Sequence, residues 1–347
     1  MASPRFQLSA LTLGLLALAS SAQAQSNVTI YGAIGLDVVS ATHVYNGTTS
    51  GNVTKIDDNA MVNSRIGIKG TEDLGEGLKA VFGLESSVKP DTGVGGGSTF
   101  WNRGSWVGLT GGFGSIKLGH QWNVADDYMG NYFVFGYYSP FLMSGFYALS
   151  DYYDNAIKYT SPNIGGFEGG LYYSMGEQAG KSTAGQKFQG AVNYSAGALK
   201  AGFVAFSEKS TTSGLEANTM YAGGVAYDFG VLNARLGLAR SDVKYVSSGS
   251  PFKANLIDIG VDVPVGAKTT ASLDYVKKDV KESSDDTYFV RARATYALSK
   301  RTSLNANVIY TKNQGNANFA FITQGQGFAG QAGQSQTILT AGITHAF

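Results

Sequence analysis

The chain has 347 residues, 26 basic and 25 acidic side chains, a formal charge of +1 and no cysteine. So even a balance gives nucleic acid nothing to hold, and a chain without cysteine cannot be stapled by disulfides. Charged residues are 15% of the total, against roughly 25% in ordinary soluble domains, while 47 glycines, 20 tyrosines and 19 phenylalanines favour many strands with tight turns over helical bundles.

The first element in chain order is a leader. Residues 1–24, MASPRFQLSALTLGLLALASSAQA, place Arg5 before an apolar run from Leu8 to Ala19 and end on AQA. That is the three-part pattern of a secretory signal peptide cleaved after Ala24, and its apolar run is too short to span a membrane as a helix. Cleavage removes one arginine and no acid, so the mature chain, 25–347, is formally neutral. No later apolar run reaches membrane-helix length.

The mature chain reads instead as about sixteen alternating segments with alternately short and long connections. VTIYGAIGLDVV (28–39) comes first, and then a long loop is expected to about Asn59. SRIGIKGTEDL turns tightly at Gly75–Gly77 into GLKAVFGLESSV, and a glycine-rich loop (91–98) leads to SWVGLTGGFG and SIKLGHQW. A connection of about thirty residues then reaches NAIKYTSPN, and a loop that long in a compact protein is usually functional. Nine further alternating segments precede the end of the chain. There, in TILTAGITHAF, Leu339, Ala341, Ile343, His345 and Phe347 share one side, so the chain ends inside a strand, on an aromatic ring.

The two faces of these strands are unlike. Ile257, Ile259, Val261 and Val263 oppose Asp258, Gly260 and Asp262. Tyr288, Val290, Ala292, Ala294 and Tyr296 oppose Phe289, Arg291, Arg293 and Thr295, while Leu304, Ala306, Val308 and Tyr310 oppose Asn305 and Asn307. A soluble sandwich also alternates, but one of this length would carry more charge outside. Apolar-out and polar-in strands of about ten residues predict an antiparallel transmembrane β-barrel, all-β and sixteen-stranded, with a wet lumen.

Six stretches in order, SNVTIYGAIGLDV, SRIGIKGTEDLGEGLKAVFGLES, NRGSWVGLTGGFGSIKLGHQ, DNAIKYTSPNIGGF, YALSKRTSLNANVIY and AGITHAF, give the chain its likeness to a known family. It resembles the trimeric general porins of Gram-negative outer membranes, in particular those of β-proteobacteria. The resemblance implies a homotrimer in outer-membrane lipid with both termini periplasmic. It implies a third extracellular loop, here 123–154, folded into the lumen as a constriction. It also implies that Phe347 is the signal read by the outer-membrane assembly machinery; His345 stands where another aromatic is common.

A diffusion pore performs no bond chemistry; it needs a hole, a constriction and a field across it. Strand parity turns Arg65, Lys79, Lys117 and Lys158 inward, since Ile66, Leu78, Ala80, Ile116, Leu118, Ile157 and Tyr159 face lipid. All four match basic positions in the family's motifs, as does Arg103, whose parity the pattern leaves open. They form a candidate basic wall, or else sit solvated near a rim. Asp126, Asp127, Asp151 and Asp154 are the candidate loop acids, with Asp127 and Asp154 the better matches, or else ordinary loop solvation. The family carries arginine where this chain has His120 and another near Tyr152, which removes two fixed charges. The eleven rings from Tyr128 to Tyr153 are either packing of the loop or a stacking surface for sugars or aromatic solutes.

Catalytic and metal readings find no footing. His43, His120 and His345 lack ligand spacing, no nucleophile accompanies His120 and its neighbouring acids, and no cofactor motif occurs. The expected function is a water-filled channel for ions and small hydrophilic solutes, weakly anion-selective. The alternatives are a barrel whose loops bind a phage or host surface, and a solute-specific channel.

Overall fold

The structure, a computed structural model, describes residues 27–59, 62–133, 152–244, 251–319, 321–322 and 327–347. The expected leader, Asp151 and the ring-rich stretch from 134 onward lie outside the described residues. The strands are β1 (Asn27–Tyr45), β2 (Ser50–Asp58), β3 (Arg65–Gly75), β4 (Leu78–Lys89), β5 (Gly104–Gly111) and β6 (Gly114–Trp122). After a short helix, α1 (Val124–Met129), come β7 (Tyr152–Thr160), β8 (Phe167–Ser174), β9 (Lys187–Ala196), β10 (Leu199–Lys209), β11 (Glu216–Asp228) and β12 (Asn233–Val243). β13 (Phe252–Val265), β14 (Thr269–Val280), β15 (Thr287–Ala297), β16 (Thr302–Asn313) and β17 (Ser335–Ala346) complete the set, with a few two-residue strands in the loops.

Apart from β2 and β3, which both pair with β1, each strand pairs antiparallel with its neighbours in sequence, and β17 pairs with both β16 and β1. The sheet therefore closes on itself into a sixteen-stave barrel and leaves no edge to be satisfied by lipid. Turns at one end are tight and glycine-dependent. Gly75, Glu76 and Gly77 all take positive φ, at 90°, 51° and 79°, and such a turn suits glycine at its flanks.

Sixteen staves come from seventeen strands because β2 and β3 share one place. The outer half of β1 pairs with β2 (Leu36 opposite Asp58) and its first residues pair with β3 (Ala33 opposite Arg65). The long loop expected up to Asn59 is thus corrected: it is a hairpin. Asn46 makes the turn by accepting the amides of Thr48 and Thr49 at 3.0 and 2.8 Å, so the chain returns along β1 as β2.

The pleat sorts side chains as the alternation requires. Leu273, Val308 and Ile343 are about half exposed on the outside, at 53%, 51% and 47%, while Asp258, Asp274, Asn305 and Asn307 are buried on the inside. No described helix is long and apolar enough to cross a membrane; the outward apolar rows of the strands are what give the barrel its hydrocarbon-facing surface.

A buried polar net ties the closing seam. Asn59 Nδ2 donates to Asp37 Oδ1, and Asn305 Nδ2 reaches the same oxygen at 3.5 Å. Asn307 Nδ2 donates to Thr340 Oγ1 at 2.9 Å, and Ser64 Oγ to Asp58 Oδ1 at 2.6 Å. Space for Asp37 exists only because residue 342 is glycine: a Cβ there would stand 1.6 Å from Asp37 Oδ1 and 2.2 Å from the Leu36 carbonyl. At the chain end Phe347 and Gly32 exchange backbone hydrogen bonds of 3.0 and 3.1 Å, and the phenyl ring lies over Gly32.

Gly342→Ala should lower the stability of the folded barrel by about 2 kcal/mol through overpacking at this seam. Gly112→Ala, at a turn glycine with open space around it, should leave stability unchanged. Denaturant midpoints from the gel-mobility difference between folded and unfolded barrel provide the comparison.

Candidate functional site

The inner face between β3 and β7 carries the candidate cations, and each has a definite partner or lacks one. Glu85, on β4, is the hub. Arg103 Nε donates to its Oε1 at 2.6 Å, Arg65 Nε lies 3.4 Å from its Oε2, and the Tyr31 hydroxyl donates to Oε2 at 2.9 Å. One carboxylate thus faces two guanidinium groups, hydrogen-bonded to Arg103 and ion-paired with Arg65, whose Nη1 donates to the Asn63 carbonyl at 3.0 Å. The Arg103 guanidinium also lies 5.3 and 5.7 Å from the Trp122 and Tyr152 rings, within cation–π range.

Lys158 meets the loop. Its Nζ donates to Asp127 Oδ2 at 2.7 Å and to the Trp122 carbonyl at 3.0 Å. Lys79 and Lys117 differ: among the described residues neither has a carboxylate in ion-pair range. Lys117 Nζ sits 4.2 Å from the Trp106 ring centre. Lys69, one pleat repeat on from Gly67 and two from Arg65, adds a third such cation, 5.0 Å over the Tyr31 ring. Lys69, Lys79 and Lys117 line one recess of about 600 Å³ with Tyr31, Trp106 and Asp73.

The loop segment is placed by α1. Asn123 caps the helix, accepting the Asp126 amide at 2.9 Å. Asp126 is half-buried and Asp127 exposed, so the two adjacent acids have different surroundings, and Asp127 reaches the strand cation Lys158. Ring seats cut into the sheet by glycines receive the helix and the residues after it. A Cβ at Gly170 would stand 2.7 Å from the Tyr128 ring, one at Gly224 2.2 Å from Tyr132 Cβ, and one at Gly237 2.7 Å from the Phe133 ring. Tyr128 donates to the Gly169 carbonyl at 3.2 Å, and Tyr132 to Asn193 Oδ1 at 2.5 Å. Burial pushes both phenols up to about 12, so both remain neutral donors at physiological pH.

Asp154 lies apart from the Asp127–Lys158 contact and pairs with His120 instead, Oδ1 to Nδ1 at 2.6 Å. The other ring nitrogen of His120 contacts the Asn102 carbonyl at 3.0 Å, and the ring stacks on Tyr152 at 5.5 Å.

Across the barrel stands a second charged group. Arg235 on β12 bonds both Asp262 and Asp274; Arg291 donates through Nε to Asp274 Oδ2 at 2.9 Å; Arg293 donates to Ser272 Oγ at 2.8 Å and lies 3.3 Å from Asp262 Oδ1. Alternation had already turned Arg291, Arg293 and Asp262 inward, but their sequence separation hid the cluster. Glu85 escaped notice because one acid in FGLESSV has no special look until Tyr31, Arg65 and Arg103 surround it. Among the described residues no group of histidines and carboxylates has metal-binding geometry.

A family profile described as Gram-negative porin matches residues 9–316. Outer membrane porin protein 32 of Delftia acidovorans is 32% identical, over 98% of this chain and 99% of the relative. An outer membrane porin protein of Bordetella pertussis is 28% identical, over 96% and 97%. Among solved structures, an anion-selective porin from Comamonas acidovorans superposes with a TM-score of 0.82 at 30% identity, covering 93% of this chain and 100% of that one. OmpT of Vibrio cholerae, at 15% identity and a TM-score of 0.69, shares the fold, covering 93% and 98%.

Glu85→Gln should remove the carboxylate that Arg103, which is 4% exposed, holds at 2.6 Å and lower stability by about 3 kcal/mol. Adding Arg103→Gln should recover most of that loss. Unfolding midpoints of the two variants measure both effects, and a Glu85→Gln barrel that melts like the wild type would show the contact to be dispensable.

Proposed function

We propose, from the premise that the chain belongs to the Gram-negative porin family, that its field-setting element is the wall of β3, β4 and β6. The protein is an outer-membrane channel for passive diffusion; the proposal concerns how it sorts solutes. Six cations stand on or beside this wall, Arg65, Lys69, Lys79, Arg103, Lys117 and Lys158, against Glu85, Asp127 and Asp73. The observation that carries the reading is the lack, among the described residues, of a carboxylate partner at Lys69, Lys79 and Lys117. Their charge is left to act in a narrow, low-dielectric passage, where it is focused and less screened than on an open surface. The excess is positive, so the channel is weakly anion-selective. The similarity to a porin described as anion-selective favours the same sign.

The loop 123–154 is the proposed constriction. Its support is the seating of α1, Tyr132 and Phe133 on the glycines of β8, β10, β11 and β12, and the Asp127–Lys158 contact with β7. Arg65, Arg103 and Lys158 then shape the passage as paired charges. Asp126 and Asp154 act locally, through the helix and through His120, and Asp151 belongs to the same loop. The 1–24 leader, export, insertion by the assembly machinery and a homotrimeric state complete the proposal on family grounds.

Lys79→Glu should lower the anion-to-cation permeability ratio at least about two-fold at low salt. Arg65→Glu should lower it less, because Glu85 already offsets that charge. Lys209→Glu, at the last residue of β10, should do little. Zero-current potentials in a salt gradient decide, and a Lys79→Glu channel that behaves like Lys209→Glu removes the wall from the mechanism. Deleting Phe347 should reduce folded barrel in outer-membrane fractions several-fold; normal amounts would mean that another feature directs insertion.

A further inference from the structure

His120 takes no part in the lysine wall, yet both of its ring nitrogens are committed. Nδ1 lies 2.6 Å from Asp154 Oδ1, and Nε2 lies 3.0 Å from the Asn102 carbonyl oxygen. A carboxylate and a carbonyl accept hydrogen bonds and donate none, while a neutral imidazole has a single N–H. Both contacts are therefore satisfied together by the imidazolium, which donates from each nitrogen. The ring also stacks on Tyr152, with 5.5 Å between centres and 14° between planes, and a tyrosine face within such range attracts a cation.

The ring joins two segments that shape the passage. Asn102 ends the loop between β4 and β5, where its side chain bonds the Ser87 amide and hydroxyl, each at 2.9 Å, and Arg103 follows it. Asp154 stands where the chain returns from loop 123–154 into β7, and its carbonyl accepts Ser174 Oγ at 2.8 Å. Tyr152 carries the contact onward, to the Trp122 ring at 4.3 Å and the Arg103 guanidinium at 5.7 Å. His120 itself lies opposite Ser105, on the outward parity of Val107 and Leu118, so its charge acts on these contacts rather than on the lumen. The charged groups of the surrounding elements have partners of their own. Arg103 is held by Glu85 of β4, Lys158 of β7 by Asp127 of α1, and Lys117 of β6 lies over Trp106. Asp126 of α1 is half-buried, and Glu177, beyond β8, takes a hydrogen bond from Asn155.

We propose that His120 is a proton-operated positioning residue, which as imidazolium fastens the return of loop 123–154 to the β4–β5 loop and as neutral imidazole lets one of them go. Histidine is the side chain whose ordinary titration falls between about pH 5 and 8. Below that window both donors are present and the bracket is closed. As pH rises through it, one nitrogen loses its proton and turns a lone pair toward an acceptor. Asp154, 78% exposed against 23% for His120, is the partner that water can take over, so it is the one released. Tyr152 then loses the cation on its face, and the support beneath Arg103 loosens with it. The effect on current rests on the channel reading; the bracket itself is a property of the fold.

The test follows the full barrel from about pH 5.5 to 8, by amide exchange corrected for intrinsic rate and by single-channel recording in potassium chloride. Protection of the amides at 152–156 should fall about five-fold, the effect of one hydrogen bond, and transient closures should become more frequent by a similar factor. Both changes should follow a single one-proton step. His120→Gln, neutral throughout this window, should abolish the step and hold the wild-type behaviour of the alkaline end. Asp154→Asn should move the step to lower pH, because the imidazolium loses its carboxylate. The chain has three histidines, so His43→Gln combined with His345→Gln should leave the step in place and assign it to His120. If His120→Gln does not fold, Asp154→Asn and the double variant decide. A wild type without a step, a step that persists in His120→Gln, or one lost from the double variant would overturn the bracket. Intact chloride conductance at the acid end separates that failure from failure of the channel reading.

Discussion

Hydrocarbon offers a backbone amide no hydrogen-bond partner, and every other feature of this chain comes from satisfying that demand. A strand in lipid must bond to strands on both sides, so the sheet must close, and β17 closes it against β1 from Ala33–Ala346 to Ala41–Ile338. Closure then fixes side-chain parity around the whole barrel, because the pleat has a period of two. Every second residue is committed to hydrocarbon and the rest to an enclosed space too wide to fill with apolar side chains. Asparagine, arginine and aspartate on the inner face are therefore the consequence of a closed, wet interior.

Closure also creates the problem that the seam glycines solve. Strands in a barrel approach each other at fixed spacing, and a buried polar net inside needs room that ordinary residues would occupy. Gly342 makes room for Asp37, and Gly35 for Asn59, whose Cβ would otherwise lie 2.5 Å from a side chain there. The same device recurs where the loop rings meet the wall. Glycine on a strand costs intrinsic stability; here each one returns a close approach that no larger residue permits.

Strand positions and faces were legible because the pattern that betrays them is the one that lipid enforces. The hairpin of β1 and β2 was not, since SGNVTKIDD carries only Val53 and Ile56 as apolar residues and is held by pairing rather than by its own alternation. Charged residues could be assigned a side, but their partners could not. Asp126 and Asp127 look alike in sequence and separate only when α1 turns Asp127 toward Lys158 and leaves Asp126 half-buried. Glu85 gains its place from Tyr31, Arg65 and Arg103, which lie 54, 20 and 18 positions away along the chain. Parity is a local property and travels with the sequence; pairing is a property of barrel curvature and does not.

The two cation types divide accordingly. Arg65, Arg103, Arg235, Arg291 and Arg293 all grip carboxylates, and each grip fixes a planar group that loses little further freedom when it bonds. Lys69 and Lys117 lie against aromatic rings, and Lys79 lines the same recess; rings of this kind support the apolar stem while the ammonium stays in contact with water. A fixed guanidinium presents directional donors and reads the shape of an anion, whereas a mobile, strongly hydrated ammonium acts as a point charge and reads only its sign. The wall of β3, β4 and β6 thus carries both kinds, arginines gripped by Glu85 and lysines with no carboxylate in ion-pair range among the described residues, on a scaffold that the membrane dictates.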